Sequence, residues 1–261
     1  MFETVPVPIL QMKNIWVSYD SQPALKGVDF DLHPGEIHAV VGEHRAGKST
    51  LVKLLSGVVV KDEGRMLFKG QSIEYFTTKS AIQQKIGMMY QHLNVIPTMN
   101  AVQNIFAGRD IATWYGSLKR STMIKQVQEF FADMNVDIPL NVPLKFLSQA
   151  QQHMIELAKV LSINPEILIF DEIANKFTPH EMEYIYKLLF TFKQQGKSVI
   201  YISHDRNWLR IDCYCRDSIR WMQFSRRSRE YVRGFPGSAL YHPPFKCAGD
   251  VERFHVLAST D

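Results

Sequence analysis

Apolar and polar positions alternate from Leu10 to Tyr19, which predicts an early strand ending on an aromatic residue. Leu25–Leu32 alternates again, and Pro34-Gly35 turns the chain into a mostly apolar run, Glu36 to Val41, read as a buried strand. Leu51-Val52-Lys53-Leu54-Leu55 continues as an apolar-rich helix. Short strands are predicted at Gly64–Gly70 and Ile86–Tyr90, the second stopping at Gln91. Between His92 and Ser148 the period becomes helical, with Met123, Val127, Phe130 and Met134 on one stripe. Ser148 and Gln151 form a capping box before a helix with Met154, Leu157, Ala158 and Leu161 on one side. Glu166–Phe170 is nearly continuous apolar sequence ending in Asp171-Glu172, as expected of a strand buried on both faces of a parallel sheet. Thr178, Pro179 and Glu181 open a further helix that buries Ile185, Leu188, Leu189 and Phe192. Ser198–Ser203 is another buried strand, followed by His204. The pattern predicts an α/β fold: an antiparallel β layer, a mostly parallel core sheet and an inserted helical segment.

Composition changes this picture at one place. The 261 residues are 46% apolar, ordinary for a packed domain. No uncharged apolar run is long enough to span a bilayer, and the N-terminus has neither a basic nor a long apolar leader region, so a cytoplasmic protein is expected. The net charge of +4 is unevenly placed. Residues 1–205 carry 20 Lys+Arg and 20 Asp+Glu, whereas residues 206–261 carry 10 and 6. The body holds 16 Lys and 4 Arg, the tail 1 Lys and 9 Arg, and Cys213, Cys215 and Cys247 all lie in the tail. In a cytosolic chain they read as free thiols. No sustained period follows Trp208. A body at 1–205 is therefore expected, with a helical subdomain at about 92–160 and a poorly ordered Arg/Cys-rich tail at 206–261. A changed reading frame would produce such a shift.

The candidate chemistry centres on Gly42-Glu43-His44-Arg45-Ala46-Gly47-Lys48-Ser49-Thr50, which fits G-x-x-x-x-G-K-[ST] between a strand and a helix. This context aims backbone N–H groups and a helix dipole at one point, with Lys48 in reach of β- and γ-phosphates and Ser49 offering a hydroxyl to Mg²⁺. Gln91, Asp171-Glu172 and His204 also follow strands. In open parallel sheets ligand groups collect at strand C-termini, so these residues are expected to converge.

Taken together, these residues resemble the ATP-binding cassette (ABC) ATPases, specifically the subunits that power carbohydrate importers of the ribose/galactose type. The match runs over about residues 9–205, as the first cassette of such a chain. The resemblance implies a P-loop NTPase fold of ABC type with the β layer and helical subdomain above. It implies Tyr19 stacking on adenine, and Gln91, in Met89-Tyr90-Gln91, touching Mg²⁺. Asn100–Arg109 looks like the importer segment leading into the helical subdomain, and Leu147-Ser148-Gln149-Ala150-Gln151-Gln152 aligns with the signature Leu-Ser-Gly-Gly-Gln. Ser148, Ala150 and Gln151 would then complete the ATP site of an opposing cassette. Lys48 and Mg²⁺, held by Ser49, Gln91 and Asp171, would neutralise phosphate charge. Glu172 would orient or deprotonate water, and His204 would contact the γ-phosphate. Further implied are ATP hydrolysis, a second cassette, transmembrane permease subunits, a periplasmic or extracellular sugar-binding protein, and a peripheral place at the cytoplasmic face of the cell membrane. Nucleic acid is not expected as a partner. The competing classes are a soluble ABC ATPase acting on nucleic acid or ribosomes and a catalytically silent ATP-binding module.

Departures from the family pattern bear on turnover more than on binding. His44-Arg45 replaces Asn-Gly; if position 45 takes φ > 0, arginine there is strained by about 1–2 kcal/mol. Ala150 replaces a signature glycine whose backbone approaches the partner's γ-phosphate. Ile173-Ala174-Asn175-Lys176-Phe177 replaces Pro-Thr-Ala-Ala-Leu where the family links its two sites. Beyond about residue 210 the chain is expected to pack poorly, leaving a sheet edge exposed.

Overall fold

A computed structural model describes residues 7–42, 46–109, 120–133, 136–173 and 176–203, together with the backbone of two short strands at Ile219–Phe224 and Val232–Gly234. Two sheets organise it. β1 (Leu10–Tyr19), β2 (Gln22–Leu32), β4 (Glu63–Phe68) and β5 (Gln71–Ile73) form an antiparallel sheet in the order β2-β1-β4-β5. The second sheet has the order β10-β9-β3-β8-β7-β6, from β3 (Ile37–Gly42), β6 (Ile86–Met89), β7 (Ile167–Asp171), β8 (Ser198–Ser203), β9 (Ile219–Phe224) and β10 (Val232–Gly234). All its pairings are parallel except β10 on β9.

The parallel strands sit between two cores and feed both, because successive side chains point to opposite faces. Leu168 and Phe170 of β7 and Val199 and Tyr201 of β8 enter one core, packed by α3 (Ala101–Phe106), α4 (Arg120–Asp133), α5 (Gln149–Leu161) and α6 (Pro179–Gln194). Ile167, Ile169, Ile200 and Ile202 enter the other, shared with α1 (Lys48–Leu55) and the antiparallel sheet. Double-sided burial is why β7 and β8 read as unbroken apolar runs: every residue of both is buried.

The expected capping boxes are present. Ser148 accepts from the Gln151 amide at 3.2 Å while Gln151 Oε1 accepts from the Ser148 amide at 3.1 Å. Thr178 and Glu181 do the same for α6, with Pro179 in its first turn. Elsewhere the structure differs from the sequence pattern. β2 begins at Gln22 rather than Leu25, through exposed positions that carry no alternation. β4 stops at Phe68 because Lys69 and Gly70, at φ 50 and 77, turn the chain tightly into β5. The buried stripe of α4 runs through Met123, Val127 and Phe131, leaving Phe130 partly buried; Met134 lies outside the described residues. A step of four keeps a side chain on its face as well as a step of three, so the Phe130-Phe131 pair made the stripe ambiguous.

The tail differs in one respect. Its backbone at Ile219–Phe224 pairs with β3 over six positions, from Ile37↔Ile219 to Gly42↔Phe224, so the sheet continues past β3 where an exposed edge was expected; apart from β10, the rest of the tail lies outside the described residues. The short run Ile219-Arg220-Trp221-Met222-Gln223-Phe224 has too little alternation to announce a strand. The unpaired N–H and C=O groups of β3 supply the missing instruction, since an open strand edge is a pairing template.

Candidate functional site

The phosphate-loop segment takes its shape from the strand before it and the helix after it. Gly47 stands at φ 105 as the N-cap of α1, a left-handed conformation that L side chains rarely adopt. A Cβ there would lie 2.7 Å from the carbonyl oxygen of Ala24 and 3.0 Å from Leu25 Cδ2, so the turn needs glycine for both conformation and space. Among the described residues no side chain caps α1, and its first residue is Lys48. Glu43, His44 and Arg45 lie outside the described residues.

Lys48 is 4% exposed, and its Nζ donates to the Gly42 carbonyl at 2.8 Å. Glu172, just past β7, brings Oε1 to 4.0 Å from the same ammonium. Burial lowers the Lys48 pKa, and the charges of Glu172 and then Asp171 oppose that shift. Gln91, just past β6, donates from Nε2 to Glu172 Oε2 at 3.0 Å. Residues 48, 91 and 172 thus meet at the C-terminal end of the parallel sheet, as the strand-end argument expected. Asp171 is beside them, 5% exposed, with Oδ1 lacking a hydrogen-bond partner among the described residues. Burial, reinforced by the charge of Glu172, pushes the Asp171 carboxyl up to about 6. Ser49 is exposed in the first turn of α1, and Thr50 is buried behind it.

Tyr19 ends β1 at 40% exposure, with the Lys53 ammonium of α1 5.8 Å from its ring centroid, so an open aromatic face borders the loop helix. Ala46 is half-buried. Ser148 is exposed, and Ala150 and Gln151 are half-buried; the hydrogen bonds of Ser148 and Gln151 stay within the first turn of α5. His204 lies outside the described residues.

Two features were not legible in the sequence. Glu172 sits at φ 51, an unfavourable backbone conformation for a side-chain-bearing residue, held by its amide bonding the Ile202 carbonyl at 3.0 Å. Lys176, which the sequence marks only as a departure, turns back so that its Nζ donates to the Tyr90 carbonyl, one residue before Gln91. A lysine five positions past a strand end carries no such signal.

Strand, glycine turn, lysine-led helix and acidic strand end define an α/β cassette of the phosphate-loop class. The family model for ABC transporters matches residues 25–175, and the chain belongs to the ABC transporter family. It is 37% identical over 196 residues to a ribose import ATP-binding protein of Hahella chejuensis, covering 75% of this chain and 39% of that protein. It is 33% identical over 198 residues to an arabinose import ATP-binding protein of Mannheimia succiniciproducens, covering 76% and 39%. The chain thus spans about two-fifths of the length of these relatives. Among solved structures, a nucleotide-free ATP-binding cassette from an ABC transporter superposes with a TM-score of 0.72 at 20% identity, over 88% of this chain and 92% of that one. A dimeric bacterial ABC transporter cassette gives 0.70 at 23% identity, over 87% and 100%. These likenesses carry the fold.

Proposed function

We propose that this chain binds and hydrolyses ATP as the cassette that energises import of a sugar. The observation that carries the reading is the meeting of Lys48, Gln91 and Glu172 behind a glycine-shaped phosphate loop. The ribose and arabinose import relatives support the sugar. Phosphoryl transfer to water asks a protein for charge neutralisation and a placed nucleophile. Lys48, held at the loop by Gly42, supplies fixed positive charge for the β- and γ-phosphates. Glu172, gripped through both carboxylate oxygens, is positioned to orient the attacking water and take its proton.

Magnesium fits the donors present. Asp171 offers a buried carboxylate oxygen without a hydrogen-bond partner among the described residues, Ser49 an exposed hydroxyl and Gln91 an amide oxygen, and a hard divalent cation takes such oxygens together with phosphate. When bound, the ion would add the neutralising charge that γ-phosphoryl transfer needs. Tyr19 would stack on the adenine, and His204 would contact the γ-phosphate. Ser148, Ala150 and Gln151, at the start of α5, would complete the site of a second cassette.

No described helix is long and apolar enough to cross a membrane. By the import function named for the relatives, the membrane step falls to permease subunits, with this chain peripheral at the cytoplasmic face and a sugar-binding protein delivering the substrate. A cavity of about 180 Å³ beside Tyr90, with Ile82, Met88, Arg109, Glu156, Lys159 and Val160 in its walls, supports docking of a permease segment next to Gln91.

Two variants test the reading. Lys48→Ala is expected to abolish measurable MgATP binding by calorimetry. Glu172→Gln, which keeps size and hydrogen bonding, is expected to bind MgATP and release no phosphate. Unchanged binding in the first, or wild-type turnover in the second, refutes the assignment of that residue.

A further inference from the structure

Lys176 stands where three pieces of the chain meet. Its Nζ donates to the Tyr90 carbonyl at the end of β6. Its own carbonyl accepts from His153 Nδ1 of α5 at 3.2 Å, and the His153 ring lies 5.8 Å from that of Phe177. Its amide bonds the Ile173 carbonyl at 2.9 Å, closing a turn onto the end of β7. The ammonium is half-buried, which lowers its pKa, and the charges of Glu156 of α5 and Asp171 of β7 oppose that shift. Among the described residues each carboxylate keeps one buried oxygen without a hydrogen-bond partner, Glu156 Oε2 and Asp171 Oδ1. Burial raises the pKa of both, and Lys176 is the foremost charge opposing that rise in both. Burying an ammonium is costly unless opposite charge and acceptors surround it, and this position provides both.

The same contacts close a ring around the strand-end loop that carries Gln91. Glu156 Oε1 accepts from the Asn94 amide at 3.1 Å, and Lys159 Nζ donates to the Asn94 carbonyl at 3.0 Å. Residues 90 and 94 are thus pinned from α5 and from Lys176, and Gln91 is held between the two pins with its Nε2 on Glu172. Gln91 itself is exposed, so neighbouring packing does not hold it. A long exposed amide keeps one partner only if its backbone is fixed, because free rotation costs entropy each time the contact forms.

We infer that Lys176 is a positioning residue that acts through Gln91, fixing the end of β6 so that Gln91 meets Glu172. The inference rests on Glu172 being the hydrolytic carboxylate proposed above. It ties the helix that begins at Ser148 to the water-activating group through the end of β6. A lesion in this tie lowers turnover more than ATP affinity, because among the described residues Lys176 has no hydrogen bond or ion pair with the phosphate loop.

The test uses the full chain, with hydrolysis rates normalised to nucleotide-binding sites. In Lys176→Met, which keeps the apolar stem and loses charge and donor, kcat should fall about ten-fold while KM for MgATP stays within a factor of about two. Lys176→Arg, which restores a donor and the charge, should return at least half the rate. In a Gln91→Ala background, Lys176→Met should cost nothing further, since both changes remove the same interaction. Equal losses in both backgrounds, a parallel rise in KM, or wild-type turnover in Lys176→Met overturns the inference. Hydrogen exchange provides a reading without turnover: amides of residues 91–94 should exchange faster in Lys176→Met while those of β1 and β2 do not change. If the wild-type chain binds no MgATP, the proposed function fails on its own. Unchanged exchange at 91–94 would then refute the tether separately.

Discussion

Asp171 and Glu172 are neighbours in sequence with opposite settings. Asp171 ends β7 in regular geometry with one oxygen unpartnered among the described residues, and Glu172 leaves the strand at φ 51 with both oxygens engaged. The left-handed conformation costs about 1–2 kcal/mol in a residue with a side chain, and it turns the second carboxylate toward Lys48 and Gln91. The adjacency of the two acids was plain in the sequence. Their division of labour was not, because it depends on one backbone angle. A pH dependence follows from Asp171. Its folded pKa of about 6 lies above the ordinary 3.8, so the folded state holds the proton more tightly than the unfolded chain. Metal-free protein should therefore lose stability from this group as pH rises from about 4 through about 6, and stay level with respect to it above that. Chemical denaturation in EDTA between pH 4 and 7 reads the slope, and Asp171→Asn should remove this part of it. An identical slope in the variant would mean that Asp171 ionises normally.

Elements were legible in proportion to how much of their burial is periodic. β1 and β8 span the residues the pattern assigned, and α5 and α6 start at the capping boxes read from Ser148/Gln151 and Thr178/Glu181. The three-residue β5 and the six-residue α2 (Thr78–Gln83) escaped notice because neither is long enough to show a period. Each is set by a local device, the Lys69-Gly70 turn in one case and a Thr77/Ser80 box in the other. Capping is also where stability and site overlap in α5. Ser148 holds the first turn together with the hydroxyl that the signature alignment singles out. Ser148→Ala should cost about 1 kcal/mol through loss of the cap, lowering the melting temperature by roughly 2–4 °C in a chain of this size. Ser148→Asp, which keeps a capping oxygen, should recover most of that loss. Thermal unfolding separates this structural share from any loss of turnover, which the aspartate variant is not expected to recover.

At the scale of the whole molecule, the order β10-β9-β3-β8-β7-β6 places the phosphate-loop strand inside the sheet, with a partner on each side. One partner, β8, was written plainly as an apolar run. The other, β9, comes from a segment whose Arg-rich composition gave no pattern, and only the open edge of β3 explains its place. Long-range pairing of this kind is invisible to local periodicity, as is the convergence of Tyr90 and Asn94, Glu156, and Lys176 from three separate stretches. The consequence is testable by truncation. A chain ending at Ser203 would expose the β3 edge from Ile37 to Gly42, immediately before the loop that carries Lys48. Unpaired strand edges recruit other edges, so this variant should self-associate in light scattering, melt below the full chain and bind MgATP more weakly. A chain ending at Gly234 retains β9 and β10 and should match the full chain in all three measurements. If the two truncations behave alike, pairing of residues 219–224 with β3 adds nothing to the stability of the sheet. If the shorter one alone associates and loses affinity, the strand from the Arg-rich tail is a working part of the cassette.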